Sequence, residues 1–196
     1  MISTALFDLD GVIRHFEPDI TAAIERRHKL APGAIAQIAF AGQRVELLTT
    51  GQLRRADWIT GIGEVLGSHE AAREWGEQRA RIDPETLALA GELESVGIRT
   101  AILTNGTDTI AAEVVELGLD GRFDPIFNTA QIGTAKPDAR AFTHVLDALG
   151  CEPASVLFID DSRANVAAAA ELGIHTHHFR DAASLRADLE ARGVLS

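Results

Sequence analysis

Phe7-Asp8-Leu9-Asp10-Gly11-Val12-Ile13 decides the reading of this chain. The segment closes an apolar run over residues 3–7 that reads as a buried strand. In extended chain, successive side chains alternate between faces, so Asp8 and Asp10 point to one side and Leu9 to the other. Two carboxylates so close repel each other unless a cation or a shared proton relieves them. Gly11 then allows a sharp turn or a close approach to a ligand. A strand ending in a capped turn has the same local appearance, so the reading depends on what recurs elsewhere.

Three further apolar runs, over residues 99–103, 125–127 and 156–159, have the length and polar or turn-forming boundaries of buried strands. Between them, residues 84–96, 109–117, 139–149 and 164–172 carry apolar side chains at three and four spacing. Gly97, Gly118, Gly150 and Gly173 each follow such a stretch, where a C-terminal glycine cap belongs. Helix, glycine and strand in repetition predict a parallel sheet with helices on both faces, whose ligands bind beyond the carboxyl ends of the strands. Residues 16–83 break this rhythm. They show helical patterning but no convincing strand, with helices expected over 21–30, 33–48 and 53–66 and breaks near Pro32 and Gly51. This block reads as a smaller helical unit over the sheet edge.

With 196 residues, 46% of them hydrophobic, the chain has material for one large domain or a core with a small insertion. Its formal net charge of -11 argues against a nucleic-acid partner, which calls for a basic face, and means that an anionic ligand must be drawn in by local groups. The single cysteine, Cys151, excludes an internal disulfide and points to a reducing, cytoplasmic setting. The N-terminus lacks the basic flank of a signal peptide and the length of a membrane span. A monomer or homodimer is expected.

Three more strand ends or helix starts carry chemistry. Leu103-Thr104-Asn105-Gly106-Thr107 places a hydroxyl, an amide and glycine-freed N–H groups just before a helix, a ready anion site that also reads as a simple capping turn. Lys136-Pro137-Asp138 puts a cation at a helix start, against the helix dipole, so a nearby anion should compensate. Phe158-Ile159-Asp160-Asp161-Ser162, followed by Asn165, ends another apolar run. Asp160 and Asp161 either cap the next helix or join Asp8 and Asp10 in an oxygen-rich cage suited to Mg²⁺.

Taken in order and spacing, these four segments resemble the four motifs of the haloacid dehalogenase superfamily, and the helical block resembles that family's small cap. The resemblance implies an α/β fold: a Rossmann-like three-layer core with a parallel sheet, over residues 1–15 and 84–196, and an all-helical cap, over residues 16–83, inserted after the first strand. It implies a Mg²⁺-dependent phosphatase acting on a small-molecule phosphate ester, a sugar phosphate or similar metabolite, through an aspartyl-phosphate intermediate. Asp8 is then the nucleophile and Asp10 the general acid and base. Thr104 and Asn105 bind phosphate, and Lys136 clamps it electrostatically. Metal ligands are Asp8, the Asp10 backbone carbonyl, Asp161 directly and Asp160 through water.

Competing readings have weaker support. A 2-haloacid dehalogenase needs neither a metal nor an acid at position 10. A phosphomutase of the beta-phosphoglucomutase type would share Asp8 and the metal, but an acid and a hydroxyl residue usually follow the first motif in those enzymes, where this chain has Ile13-Arg14-His15-Phe16. A non-catalytic binding module is disfavoured by retention of Asp8, Asp10, Lys136 and Asp161. His175, His177 and His178 lack metal-ligand spacing. Arg26, Arg27, Arg54 and Arg55 read as solvated helix faces. His15, Arg44 and Trp58 are candidates for cap residues near the mouth of the site.

Overall fold

The computed structural model describes all 196 residues, Met1–Ser196. In chain order it runs β1 (Thr4–Phe7), β2 (Arg14–His15), α1 (Pro18–Arg27), α2 (Ala34–Ala39), α3 (Gln43–Thr49), α4 (Arg55–Leu66), α5 (His69–Gly76) and β3 (Arg81–Ile82). It continues through α6 (Pro84–Ser95), β4 (Arg99–Thr104), α7 (Ile110–Glu116), β5 (Ile126–Asn128), α8 (Thr129–Ile132) and α9 (Ala139–Leu149). The last elements are β6 (Val156–Asp160), α10 (Arg163–Glu171), β7 (His175–His178) and α11 (Ala182–Ala191).

Strands β5-β4-β1-β6-β7 form one parallel sheet in that order. Every residue of β1 and β6 is buried, as expected of strands covered on both faces. Alternation along the strands explains the layers. Ala5, Phe7, Leu157 and Ile159 point to one face, where they meet Leu89 and Leu93 of α6, Val114 of α7 and Leu185 and Leu189 of α11. Leu6, Val156 and Phe158 point to the other, against Phe142 and Val145 of α9 and Ala169 of α10. The α/β fold and the parallel three-layer core are as expected.

The helical block α1 to α5 leaves and re-enters through the antiparallel β2–β3 pair, in which Arg14 faces Ile82 and His15 faces Arg81. It has apolar clusters of its own, one around Trp58, Ile62 and Leu48, the other around Ile24 and Ile35. The start of α2 has no side-chain cap on Gly33. Buried Glu25 takes that role, accepting from Gly33 N at 2.8 Å and Ile35 N at 3.0 Å.

Several local expectations are corrected. The single helix expected over 33–48 is two helices, because the chain breaks after Ala39 and Gly42 takes a positive φ of 68° before α3. Helices α5 and α11 were not anticipated, although Ser68 and Asp181 cap them as N-terminal side chains do. The edge strand β7 and the β2–β3 pair are too short or too polar for a pattern to reveal. No helix is long and apolar enough to cross a membrane.

Candidate active site

Asp8 stands just past β1, its N–H bonded to Ile159 O of β6 at 2.8 Å. The strand stops at Phe7, so alternation does not by itself orient Asp10. A tight turn does. Ile13 N and Arg14 N both donate to Leu9 O, at 3.0 and 2.9 Å, and Gly11 N donates to Arg14 O at 2.8 Å. Gly11 is needed twice over, since its φ is 83° and a Cβ there would collide with the Asp161 carboxylate.

The centre of the site is Lys136, whose side chain is fully buried. Its Nζ lies 3.0 Å from Asp8 Oδ1 and donates to Asp160 Oδ2 and Leu103 O, each at 2.7 Å. It stands two residues ahead of Asp138, which caps α9, and the anions expected to compensate it are Asp8 and Asp160. Burial alone would lower the lysine pKa, but the two carboxylates more than offset that and hold it above its ordinary value. Asp8 moves the other way from a typical carboxylate. Burial, with help from Asp160 and Asp10 and against the pull of Lys136, raises it from 3.8 to about 8.

Asp160 ends β6 and is fully engaged: Oδ1 accepts from Ser162 N at 2.7 Å, and Asn165 Nδ2 reaches both oxygens at 3.1 Å. Asp161 is exposed by surface area, yet partial desolvation by its surroundings, together with neighbouring Asp160, raises its pKa. Asp8, Asp160 and Asp161 each offer an oxygen within 4.8 Å of the others. Three carboxylates against the single ammonium of Lys136 leave excess negative charge, and the donors are all hard oxygens. Both features fit Mg²⁺.

Thr104 ends β4 with a buried Oγ1 that has no hydrogen-bond partner. Such an orphan costs free energy unless a ligand or water satisfies it. Asn105 uses its side chain differently from a phosphate ligand: Nδ2 donates to Lys136 O at 2.8 Å and Oδ1 accepts from Lys136 N at 2.9 Å. It therefore locks the lysine loop to the end of β4.

Asp10 is not among the groups that contact Lys136. Its carboxylate holds Arg14 in a two-point pair, Nε–Oδ1 at 2.7 Å and Nη2–Oδ2 at 3.2 Å, and buried Arg14 also pairs with Glu113 at 2.7 Å. Sequence reasoning missed this network, because 99 residues separate Arg14 from Glu113 and only tertiary packing of α7 joins them. Asp10, Arg14 and Glu113 border a cavity of about 480 Å³ between the sheet end and the helical block. Trp58 and Arg55 line it. Of the other mouth candidates, His15 pairs with Asp83 at 3.2 Å beside the β2–β3 pair, and exposed Arg44 packs its guanidinium over Gly61.

The three histidines diverge. His177 Nδ1 meets Asp188 at 3.1 Å, His178 Nε2 meets Asp161 O at 2.9 Å, and His175 is exposed.

A family model for haloacid dehalogenase-like hydrolases matches residues 2–173. The chain belongs to that family. Within it, the chain is 30% identical over 193 residues to a phosphoglycolate phosphatase of Rhodospirillum rubrum, covering 89% of this chain and 78% of that one. It is 28% identical over 226 residues to bifunctional epoxide hydrolase 2 of Rattus norvegicus, where 96% of this chain spans only 38% of the relative. The fold superposes with a TM-score of 0.74 on a haloacid dehalogenase family enzyme of Bacteroides thetaiotaomicron, solved with magnesium and inorganic phosphate, at 22% identity and covering 92% and 95% of the two chains.

Proposed function

We propose that this family member is a Mg²⁺-dependent phosphatase of small organic phosphate esters, with Asp8 as the nucleophile. The observation that carries the reading is the meeting of Asp8, Asp160 and Asp161 within 4.8 Å, beside the buried ammonium of Lys136. The division that goes with it is a catalytic core of residues 1–15 and 84–196 and a cap of residues 16–83. The phosphoglycolate phosphatases among the relatives and the magnesium and phosphate in the Bacteroides enzyme support it.

In this reading an Asp8 oxygen attacks phosphorus, the bond to the leaving oxygen breaks, and Asp10 gives that oxygen a proton. Asp10 then takes a proton from water, whose oxygen attacks phosphorus and returns Asp8 free with inorganic phosphate. Lys136 and Thr104 Oγ1 stabilise the phosphoryl oxygens, and Asn105 serves by holding Lys136 in register. Asp8, the Asp10 carbonyl and Asp161 would hold the metal directly, and Asp160 would act on it through water. Mg²⁺ bound there offsets the charge of nucleophile and phosphate together.

Phosphate release from phenyl phosphate and an alkyl phosphate, with and without chelator, tests the reading. Chelation should abolish both activities reversibly. Asp10→Ala should lower alkyl ester turnover by about 10²–10⁴-fold. With the aryl ester it should give one burst of phenolate per enzyme and then stall as the phosphorylated Asp8 form. Full activity in chelator, or halide release from a 2-haloacid, would overturn the assignment.

A further inference from the structure

Resting on the phosphatase reading, the geometry points to a substrate whose organic group is mainly apolar, an alkyl or aryl chain seated in the cavity between core and cap, and not a sugar or a second acid. The cavity, about 480 Å³, is of a size that holds small organic ligands. Asp10, where the leaving oxygen would be protonated, is among its lining residues, and so are side chains of the cap. There Trp58 and Trp75 meet at 5.3 Å between ring centres, and Phe40 packs on each at 6.3 Å. Leu48 and Ile110 continue the apolar wall. Phe40 is 64% exposed, so its ring is available to a ligand.

The charges on this cavity are engaged with one another. Of its two cations, Arg14 is held by Asp10 and Glu113, while Arg55 donates to Gly76 O and lies 4.0 Å from Glu113. Glu17 pairs with Arg81 at 3.1 Å. A carboxylate or second phosphate on the substrate would therefore find no uncommitted cation, and would face Glu113 and Glu17. Hydroxyls of a sugar find few open partners, because several of the wall's polar side chains already bond within the protein: Gln78 to Thr21, Thr49 to Val45 O, Thr107 with Thr109. Burying hydroxyls without partners is costly, whereas burying methylenes is favourable. The exception is Gln78 Oε1, buried and without a partner, which can accept from a single donor on the organic group.

The test is a kcat/KM series at saturating Mg²⁺ on ethyl, butyl and octyl phosphate, with phenyl phosphate, glucose 6-phosphate and 2-phosphoglycolate alongside. Specificity should rise by about fourfold for each CH₂ that enters the cavity. A flat or falling series, with glucose 6-phosphate or 2-phosphoglycolate preferred, would overturn the inference and leave the phosphatase reading standing. Failure of every ester, phenyl phosphate included, would remove both. Binding is read separately, since Trp58 and Trp75 are the chain's 2 tryptophans and both line the cavity. Octylphosphonate, which cannot be hydrolysed, should shift their emission saturably at concentrations where ethylphosphonate does not; equal responses would count against the inference. Phe40→Ser alters an exposed ring. It should lower kcat/KM for octyl phosphate about fivefold more than for ethyl phosphate, as expected when part of an apolar contact is lost. Equal losses on the two esters would place the chain elsewhere.

Discussion

On the core side of the cleft, polar groups sit at the ends of strands buried on both faces. Asp160 and Thr104 at strand ends, and Lys136 in the loop ahead of α9, have almost no exposure, and of their side-chain polar atoms Thr104 Oγ1 alone has no partner. On the cap side, short helices turn aromatic rings toward the same space, and Phe40 stays exposed. On the proposed function, the contrast follows from what each side must do. Charge transfer at phosphorus needs groups that do not reorganise, which neighbouring strands and a buried lysine provide. Accepting an organic group needs only a wall of suitable polarity, and small helices with their own modest cores can supply that. Chemistry should therefore respond to core substitutions and selectivity to cap substitutions.

The largest expected effect tests the first half of that statement. Asp8→Asn keeps the shape of the side chain and should reduce phosphate release by on the order of 10⁴–10⁶-fold, as loss of a nucleophile does. Its thermal midpoint should not fall, because burial already disfavours the ionised Asp8. Activity within tenfold of the parent would mean that another group attacks phosphorus.

Next in size is the stability carried by the buried cation. Lys136→Met leaves Asp8 and Asp160 facing each other without an ammonium, and should cost about 3–5 kcal/mol in urea denaturation. A loss below about 1 kcal/mol would show that the core site is no more tightly held together than an exposed ion pair.

A pH dependence probes the same contrast through the metal. Asp8 in the folded chain has its pKa raised to about 8 from 3.8, so between those values the folded state holds a proton that the unfolded state has released. In chelator, this group's contribution is therefore greatest below about pH 4 and is lost as pH rises through about 8. Mg²⁺ must displace that proton to bind, so the rise in melting temperature on adding Mg²⁺ should be larger at pH 8 than at pH 6. Asp8→Asn should flatten the difference, whereas Trp58→Phe in the cap should leave it unchanged. A Mg²⁺ effect independent of pH would sever Asp8 from the metal.

Three strand ends and one helix start were readable without any structure, because each motif is local: for the strands an apolar run, a carboxylate or hydroxyl where it stops and a small or capping residue after it, and for the helix a lysine and a proline just ahead of the capping Asp138. Those runs determined the parallel sheet, and the carboxylates Asp8, Asp160 and Asp161, which follow two of them, are the ones that folding brings together. Element boundaries in the cap were less readable. The break between α2 and α3 depends on a glycine that a continuous helical pattern can tolerate, and α5 has only eight residues. Tertiary structure alone decided how Asn105 and Asp10 use their side chains. Asn105 turns to Lys136, 31 residues away, and Asp10 meets Arg14 only because the chain turns back at Gly11 while α7 brings Glu113 alongside. The polarity of the cavity is likewise set by pairings between distant residues, Arg55 with Glu113 and Arg81 with Glu17. Which residue types stand at a strand end is written in local order. Whether a charged side chain is free to meet a ligand depends on partners that folding brings from elsewhere in the chain.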